Sequence, residues 1–145
     1  MLPPVMPVDA ADHEEIVKVW EASVRATHDF LTESDILFFK PLILHEYLKA
    51  VALYCIKDMA GKIQGFVGIS GDKVEMLFID PAVRGQGIGR ALLDYVIRER
   101  GVRTVDVNEQ NGQAVGFYLH YGFKVTGRSE TDGMGKPFPL LFMSL

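Results

Sequence analysis

Three glycines and two arginines lie close together in residues 84–90, RGQGIGR. A glycine backbone lets a ligand approach closely, and it adopts conformations that other residues avoid. If a helix begins here, its free N–H groups and the positive end of its dipole would attract an anion, and Arg84 and Arg90 would add positive charge. The stretch therefore predicts a phosphate-binding turn. A glycine-rich chain reversal with solvated arginines is the alternative.

Two other phosphate-binding motifs do not fit this stretch. A dinucleotide fingerprint requires a glycine at its sixth position, where this chain has Arg90. A P-loop ends in Gly-Lys followed by Ser or Thr, and the sequence contains no such ending. The motif is therefore neither a Rossmann nor a P-loop signature.

Tyr118 and Glu75 are candidates for moving protons. A tyrosine has a pKa of about 10, so it keeps its proton at neutral pH and can donate it to a leaving group. Glu75 lies in the apolar segment KVEMLFI, where alternation predicts that its neighbours Val74 and Met76 point to the other face. Its carboxylate could accept a proton, and His28 is a rival base. The structural alternatives are a tyrosine packed on a helix and a solvent-exposed glutamate.

The spacing of apolar residues predicts the elements that carry these groups. It predicts an α/β (α+β) chain with the order β-α-α-β-β-β-α-β-α-β-β, in which a mixed sheet has helices on both faces. Asp9 or Asp12 would cap the first helix, and Pro41 would kink or restart the second. The predicted strands are a short one within 3–8, then 51–57, 63–70, 73–79, 104–108, 123–130 and 139–145. The predicted helices span about 9–26, 33–48, 88–99 and 113–120.

Composition limits the classes of function. The 145 residues are 48% hydrophobic and 23% charged, which predicts one globular domain over residues 1–145. A net charge of −4 argues against nucleic acid as a partner. The sequence has no apolar run of about 18 residues, so no membrane partner is expected. The single Cys55 is typical of a cytoplasmic protein, and no metal is implied.

The segment LFIDPAVRGQGIGRALL resembles motif A of the GNAT superfamily of acyl-CoA N-acyltransferases, whose pattern is matched by Arg84, Gly87 and Gly89. A second signature of that superfamily is also present at the family's spacing. It consists of Val107, Asn111, Ala114, Tyr118, Gly122 and Phe123. The stretches ATHDFL, VNEQN, FKVTGRSE and GKPFPLL are similar to a small bacterial GNAT subgroup of the YjaB type.

This resemblance implies a mostly antiparallel sheet of six or seven strands, splayed between the fourth and fifth strands, with acetyl-CoA as the cofactor in the gap. The implied cofactor-binding residues are Leu77, Phe78, Ile79, Arg84, Gly85, Gln86, Gly87, Ile88, Gly89, Arg90, Asn111 and Tyr118. The implied acceptor-binding residues are His28, Asp29, Phe30 and Asn108.

The expected activity is transfer of an acetyl group from acetyl-CoA to a primary amine by direct attack, with Tyr118 as general acid and Glu75 as base. The acceptor would be a small-molecule or peptide amine, and the protein a monomer or homodimer. A non-catalytic acyl-CoA sensor is the alternative. Such a sensor would keep RGQGIG but would not require Tyr118.

Overall fold

The computed structural model describes residues 2–145, and its helices and strands follow the predicted order. No helix within these residues is long and apolar enough to cross a membrane. The elements are β1 (Met6–Pro7), α1 (His13–Thr27), α2 (Glu33–Leu42), β2 (Ala52–Lys57), β3 (Ile63–Ser70), β4 (Lys73–Ile79), α3 (Ile88–Arg100), β5 (Thr104–Asn108), α4 (Gly112–Tyr121), β6 (Lys124–Ser129) and β7 (Leu140–Ser144).

The first two helices differ in extent from the prediction. A 3₁₀ turn at Ala10–Asp12 precedes α1. Thr32 caps α2, since its Oγ1 accepts from the Asp35 N–H at 3.1 Å while the Asp35 carboxylate accepts from the Thr32 N–H. The predicted helical stretch to about residue 48, interrupted near Pro41, is confirmed. Regular α-helix ends at Leu42, just after Pro41, which has no N–H to donate, and a π-helical segment at Ile43–Tyr47 and a 3₁₀ turn at Leu48–Ala50 follow.

The seven strands form one sheet in the order β1-β2-β3-β4-β5-β7-β6. All neighbours are antiparallel except β4 and β5, which run parallel. These two strands pair only where Lys73 and Val74 face Thr104 and Val105, and a Lys73–Asp106 ion pair lies at the same end. Beyond that point β4 has no β5 partner among the described residues. The predicted splay between the fourth and fifth strands is therefore confirmed.

Buried apolar side chains form one core on each face of this sheet, as the prediction of helices on both faces requires. On one face, α1 and α2 cover residues such as Phe66 and Met76, with Ile16 and Trp20 from α1. On the other face, α3 and α4 cover residues such as Val67 and Val74. We call these layers the α1–α2 core and the α3–α4 core.

Glu75 is the extra residue of a β-bulge in β4. Gly68 pairs with Met76 and Ile69 with Val74, so two residues of β3 face three of β4. The prediction that Val74 and Met76 share a face was wrong, because the bulge turns them to opposite sides: Val74 lies in the α3–α4 core and Met76 in the α1–α2 core. Glu75 itself is exposed.

Candidate active site

The connection from β4 to α3 presents bare backbone to open space. Gly85 and Gly87 adopt left-handed conformations with φ of 77° and 85°, which side-chain-bearing residues rarely adopt. A Cβ added at Gly85 would have no neighbour within 4 Å among the described residues, and one at Gly87 would meet only Leu2 Cδ1 at 3.9 Å. Gly87 immediately precedes α3, whose first N–H groups lack helical partners. The turn therefore offers an anion site with room for a ligand.

A cavity of about 290 Å³ extends from this turn along the open edge of β4 to α4. We call it the first cavity. Most of the predicted cofactor residues line it, together with His28 of the predicted acceptor set. Its lining consists of Ser23, Thr27, His28, Leu77, Phe78, Ile79, Val83, Arg84, Gly85, Gly87, Ile88, Gly89, Arg90, Asn111, Gln113, Ala114, Phe117 and Tyr118.

Besides Glu75, which lies at the β4 bulge, four predicted site residues lie outside this lining. Gln86 and Asp29 are exposed. Phe30 is half-buried and packs against His28 and Phe138, with ring centroids 5.2 and 6.0 Å apart. The Asn108 side chain stabilises the turn after β5, because its Oδ1 accepts from the Gln110 N–H at 3.0 Å. The structure therefore brings the two signature motifs together but leaves these four residues apart from the cavity.

Several lining residues were missed in the sequence. Gln113 and Phe117 are four residues apart on one face of α4, so the helix geometry could have identified them. Thr27 immediately precedes His28 in ATHDFL. Ser23 and Val83 carry no comparable signal.

The two arginines at the cavity mouth are both held by α3–α4 contacts. Arg84 donates from Nη1 to Gln113 Oε1 at 3.0 Å, which ties the turn to the start of α4. The Arg90 guanidinium lies 5.4 Å from the ring centre of Tyr121, whose hydroxyl donates to Asp94 at 2.5 Å. Burial and the adjacent Asp94 carboxylate raise the pKa of Tyr121 to about 12. Positive charge is thus placed at the mouth next to the anion site.

Tyr118 is 5% exposed and packs edge-to-face on Phe117 and Phe123, with ring centroids 5.2 and 5.4 Å away. Burial raises the pKa of its hydroxyl well above the ordinary value. Burial alone accounts for this shift, with no hydrogen bond or nearby charge from residues 2–145 contributing to it. Tyr118 therefore keeps its proton at neutral pH and can donate it to a group in the first cavity.

A second cavity, of about 400 Å³, lies beside the bulge on the α1–α2 side of the sheet. It contains two carboxylates, Glu75 and Asp132, and the aromatic rings of Phe39 and Tyr47. Burial, together with the nearby carboxylates of Asp132 and Glu46, raises the pKa of Tyr47. The remaining lining residues are Ala50, Val51, Ser70, Met76, Gly133 and Met134.

The family model described as acetyltransferase (GNAT) domain matches residues 38–138 of the 145-residue chain. The chain belongs to the GNAT acetyltransferase family. It resembles the peptidyl-lysine N-acetyltransferase YjaB of Escherichia coli strain K12, with 46% identity over 128 residues that cover 88% of this chain and 86% of that protein. The predicted family and its YjaB-type subgroup are both confirmed.

Solved structures agree with this GNAT fold. The solution structure of apo-form YjaB from Escherichia coli has a TM-score of 0.89 and 41% identity, and the match covers 99% of this chain and 97% of that one. The PaiA N-acetyltransferase of Thermoplasma acidophilum, solved in complex with coenzyme A, has a TM-score of 0.73 at 21% identity and covers 99% of both chains, which shows a shared fold.

The acyl donor of GNAT acetyltransferases is acetyl-CoA, and this chain is an acetyltransferase that uses it. The residues present fit that molecule. Gly85 and Gly87 leave open space beside backbone N–H groups for a pyrophosphate, and Arg84 and Arg90 can neutralise its charge. The free edge of Leu77–Ile79 offers backbone donors and acceptors to the pantetheine amides.

Proposed function

We propose that this GNAT acetyltransferase modifies the side-chain amine of lysine within peptides or proteins. The support comes from two sources. The YjaB relative that it resembles carries the name peptidyl-lysine N-acetyltransferase. The second cavity has the chemistry that a lysine ammonium requires, since it combines carboxylates with aromatic faces.

Strand β4 joins the two cavities. Glu75 and Met76 line the second cavity, and the next residues along the strand, Leu77–Ile79, line the first. A strand rises about 3.3 Å per residue, so the bulge and the middle of the first cavity are separated by roughly 10 Å along the chain. We propose that the acceptor enters from the second cavity while acetyl-CoA occupies the first.

Acetyl-CoA, when bound, supplies an acetyl thioester. In our proposal, Tyr118 is the general acid that protonates the departing sulfur, and Asn111 and the β4 backbone hold the donor molecule. Glu75 accepts, through water, the proton that a lysine ammonium must lose before its nitrogen can attack. Because the amine attacks directly, no covalent bond to the protein forms.

The observation that carries this proposal is the position of Tyr118, a protonated and buried phenol that lines the first cavity. Tyr118→Phe keeps the ring and its edge-to-face packing but removes the proton. We expect kcat to fall roughly 100-fold while the Kd for CoA stays within about twofold. Tyr95→Phe is the matched control, since Tyr95 packs on Tyr54 outside the first cavity.

The assay follows thiol release with a lysine-containing peptide as acceptor, and mass spectrometry locates the acetyl group. A normal kcat in Tyr118→Phe, with the chemical step shown to limit turnover, would remove Tyr118 from the acid role. Acetylation of free polyamines or amino acids in preference to the peptide would contradict the proposed acceptor. Binding of acetyl-CoA without turnover on any amine would indicate the sensor alternative.

Three further expectations remain proposals. We propose a single domain over residues 1–145, because both cores lie against one continuous sheet. A cytoplasmic location is supported by the buried, free thiol of Cys55. Monomer or homodimer stays a prediction.

A further inference from the structure

A short chain of hydrogen bonds crosses the open part of the sheet. It begins in α1, where the Thr27 hydroxyl donates to the Ser23 carbonyl oxygen at 2.8 Å. Since that hydroxyl proton is already used, the Thr27 oxygen must accept the contact from His28 Nδ1, which lies 2.7 Å away. His28 therefore carries its proton on Nδ1, and Nε2 has a free lone pair.

The contacts of Asn111, at the other end of this series of hydrogen bonds, independently require the same tautomer of His28. Asn111 caps α4 by accepting the Ala114 N–H with Oδ1 at 3.2 Å. This orientation leaves the Asn111 Nδ2 group facing His28 Nε2, at 3.4 Å. An amide NH₂ group can only donate, so Nε2 must be an acceptor. The helix cap and the threonine thus demand the same neutral form of His28.

The surroundings of the ring favour this neutral form. Phe30 and Phe78 pack beside the imidazole, with ring centroids 5.2 and 6.2 Å away. Burial lowers the pKa of His28 to about 4, and the carboxylate of Asp29, just after α1, opposes this effect. The groups facing the ring from β4 and α4, Phe78 and Asn111, are uncharged.

The hydrogen bonds that link Thr27, His28 and Asn111, which we call the bridge, join the two walls of the first cavity. Helix α1 packs in the α1–α2 core and α4 in the α3–α4 core, and β4 and β5 diverge between them. Asn111 and Tyr118 are seven residues apart, two helical turns, so they lie on one face of α4. The Arg84–Gln113 bond holds the same first turn of α4 from the other side.

We propose that His28 is a positioning residue. Through its contact with Asn111 it fixes the first turn of α4, and thereby the position of Tyr118 in the first cavity. The kinetic part of this inference rests on the proposed acid role of Tyr118. The hydrogen-bonding part does not, because it concerns the resting protein alone.

The test begins with long-range ¹H–¹⁵N correlation NMR of the histidine rings in the whole protein. We expect His28 to show a protonated Nδ1 and an unprotonated Nε2 from pH 5 to 8. A protonated Nε2 in the wild type would overturn the proposal. Thr27→Val removes the Nδ1 acceptor at constant shape, and the Nδ1-protonated tautomer should persist because Asn111 still donates to Nε2. Loss of this tautomer in the variant would contradict the role of Asn111.

Asn111→Asp is the decisive variant. Aspartate caps a helix as well as asparagine does, so α4 should remain capped. It replaces the Nδ2 donor with a carboxylate oxygen, so His28 should take up a proton and its pKa should rise by at least one unit. An unchanged titration in this variant would show that Asn111 and His28 are not coupled.

Kinetics separate a positioning role from a merely structural one. His28→Phe keeps an aromatic ring beside Phe78 but breaks the bridge, and we expect kcat to fall roughly 10-fold or more with the KM for acetyl-CoA unchanged. An unchanged kcat would contradict the positioning role, and so would a fall in kcat/KM that comes only from a higher KM for acetyl-CoA. If Tyr118→Phe proves fully active while the NMR results hold, the acid assignment fails and the bridge stands.

Discussion

Gly89 allows the ligand role of the glycine-rich turn to be separated from its backbone role. Substituting Gly85 or Gly87 would strain a left-handed backbone, so a loss of binding there has two explanations. Gly89 instead lies in the first turn of α3 and lines the first cavity. An added Cβ would be 3.7 Å from Ile79 Cδ1 and Phe117 Cε1, which is ordinary van der Waals contact.

Gly89→Ala should therefore leave the unliganded protein as stable as the wild type, or stabilise it by up to about 1 kcal/mol, because alanine is the better helix former. The methyl group would, however, occupy space beside the helix start that a pyrophosphate needs. Loss of one charge-assisted hydrogen bond costs about 1.5–3 kcal/mol, which corresponds to a Kd for CoA raised roughly 10- to 100-fold.

Isothermal titration calorimetry with CoA and chemical denaturation of the same samples would measure both quantities. Gly116→Ala is the matched control: this glycine also lies in a helix, has open space at its Cβ position and lies outside the first-cavity lining. The control should gain stability without any change in Kd. Equal Kd values for the two variants would refute the reasoning, since the glycine at 89 would then serve the helix alone.

Three further predictions concern stability and the acceptor. Gly65→Ala should lower the free energy of unfolding by about 1–3 kcal/mol in urea titrations, because its Cβ would lie 2.7 Å from Ile79 Cδ1 and 2.9 Å from Ile88 Cγ2; an unchanged midpoint would mean that α3 shifts freely on the sheet. His28, with its pKa lowered to about 4, binds a proton in the unfolded state at a higher pH than in the folded state, so stability should fall by up to about 3 kcal/mol as the pH drops from about 6.5 to 4. His28→Phe should flatten that part of the stability profile, and an identical slope would contradict the assignment. Glu75→Gln should lower kcat/KM for a lysine peptide while the Kd for CoA is unchanged; equal kcat/KM would exclude Glu75 from the acceptor side.

The sequence predicted what depends on local spacing. Residues 84–90 could be predicted as a turn, and the segment before Tyr121 as a helix, because glycine positions and helical periodicity report directly on backbone geometry. The site roles of Asn111 and Tyr118 came from the resemblance to the GNAT superfamily. The bulge at Glu75 could not be predicted, since it depends on how β3 and β4 align, and alternation alone put Val74 and Met76 on one face. The contact of His28 with Asn111 joins residues 83 positions apart, and no local pattern reports such a distance. The position of Asp132 in the second cavity could not be predicted for the same reason, because this residue lies far along the chain, in the connection between β6 and β7.

The early divergence of β4 from β5 has a consequence for how the molecule avoids unwanted association. It creates two free strand edges in the middle of a sheet rather than at its margins. Free edges usually act as templates for pairing with other chains, and proteins normally blunt them with charge, proline or a covering element. Here the free edge of β4 lines the first cavity, a space of about 290 Å³ between residues of α1 and α4, which is small for another strand bearing side chains on both faces. A slender chain with its own amide groups can still enter, so the feature that would promote aggregation elsewhere becomes a filter for ligands of pantetheine shape.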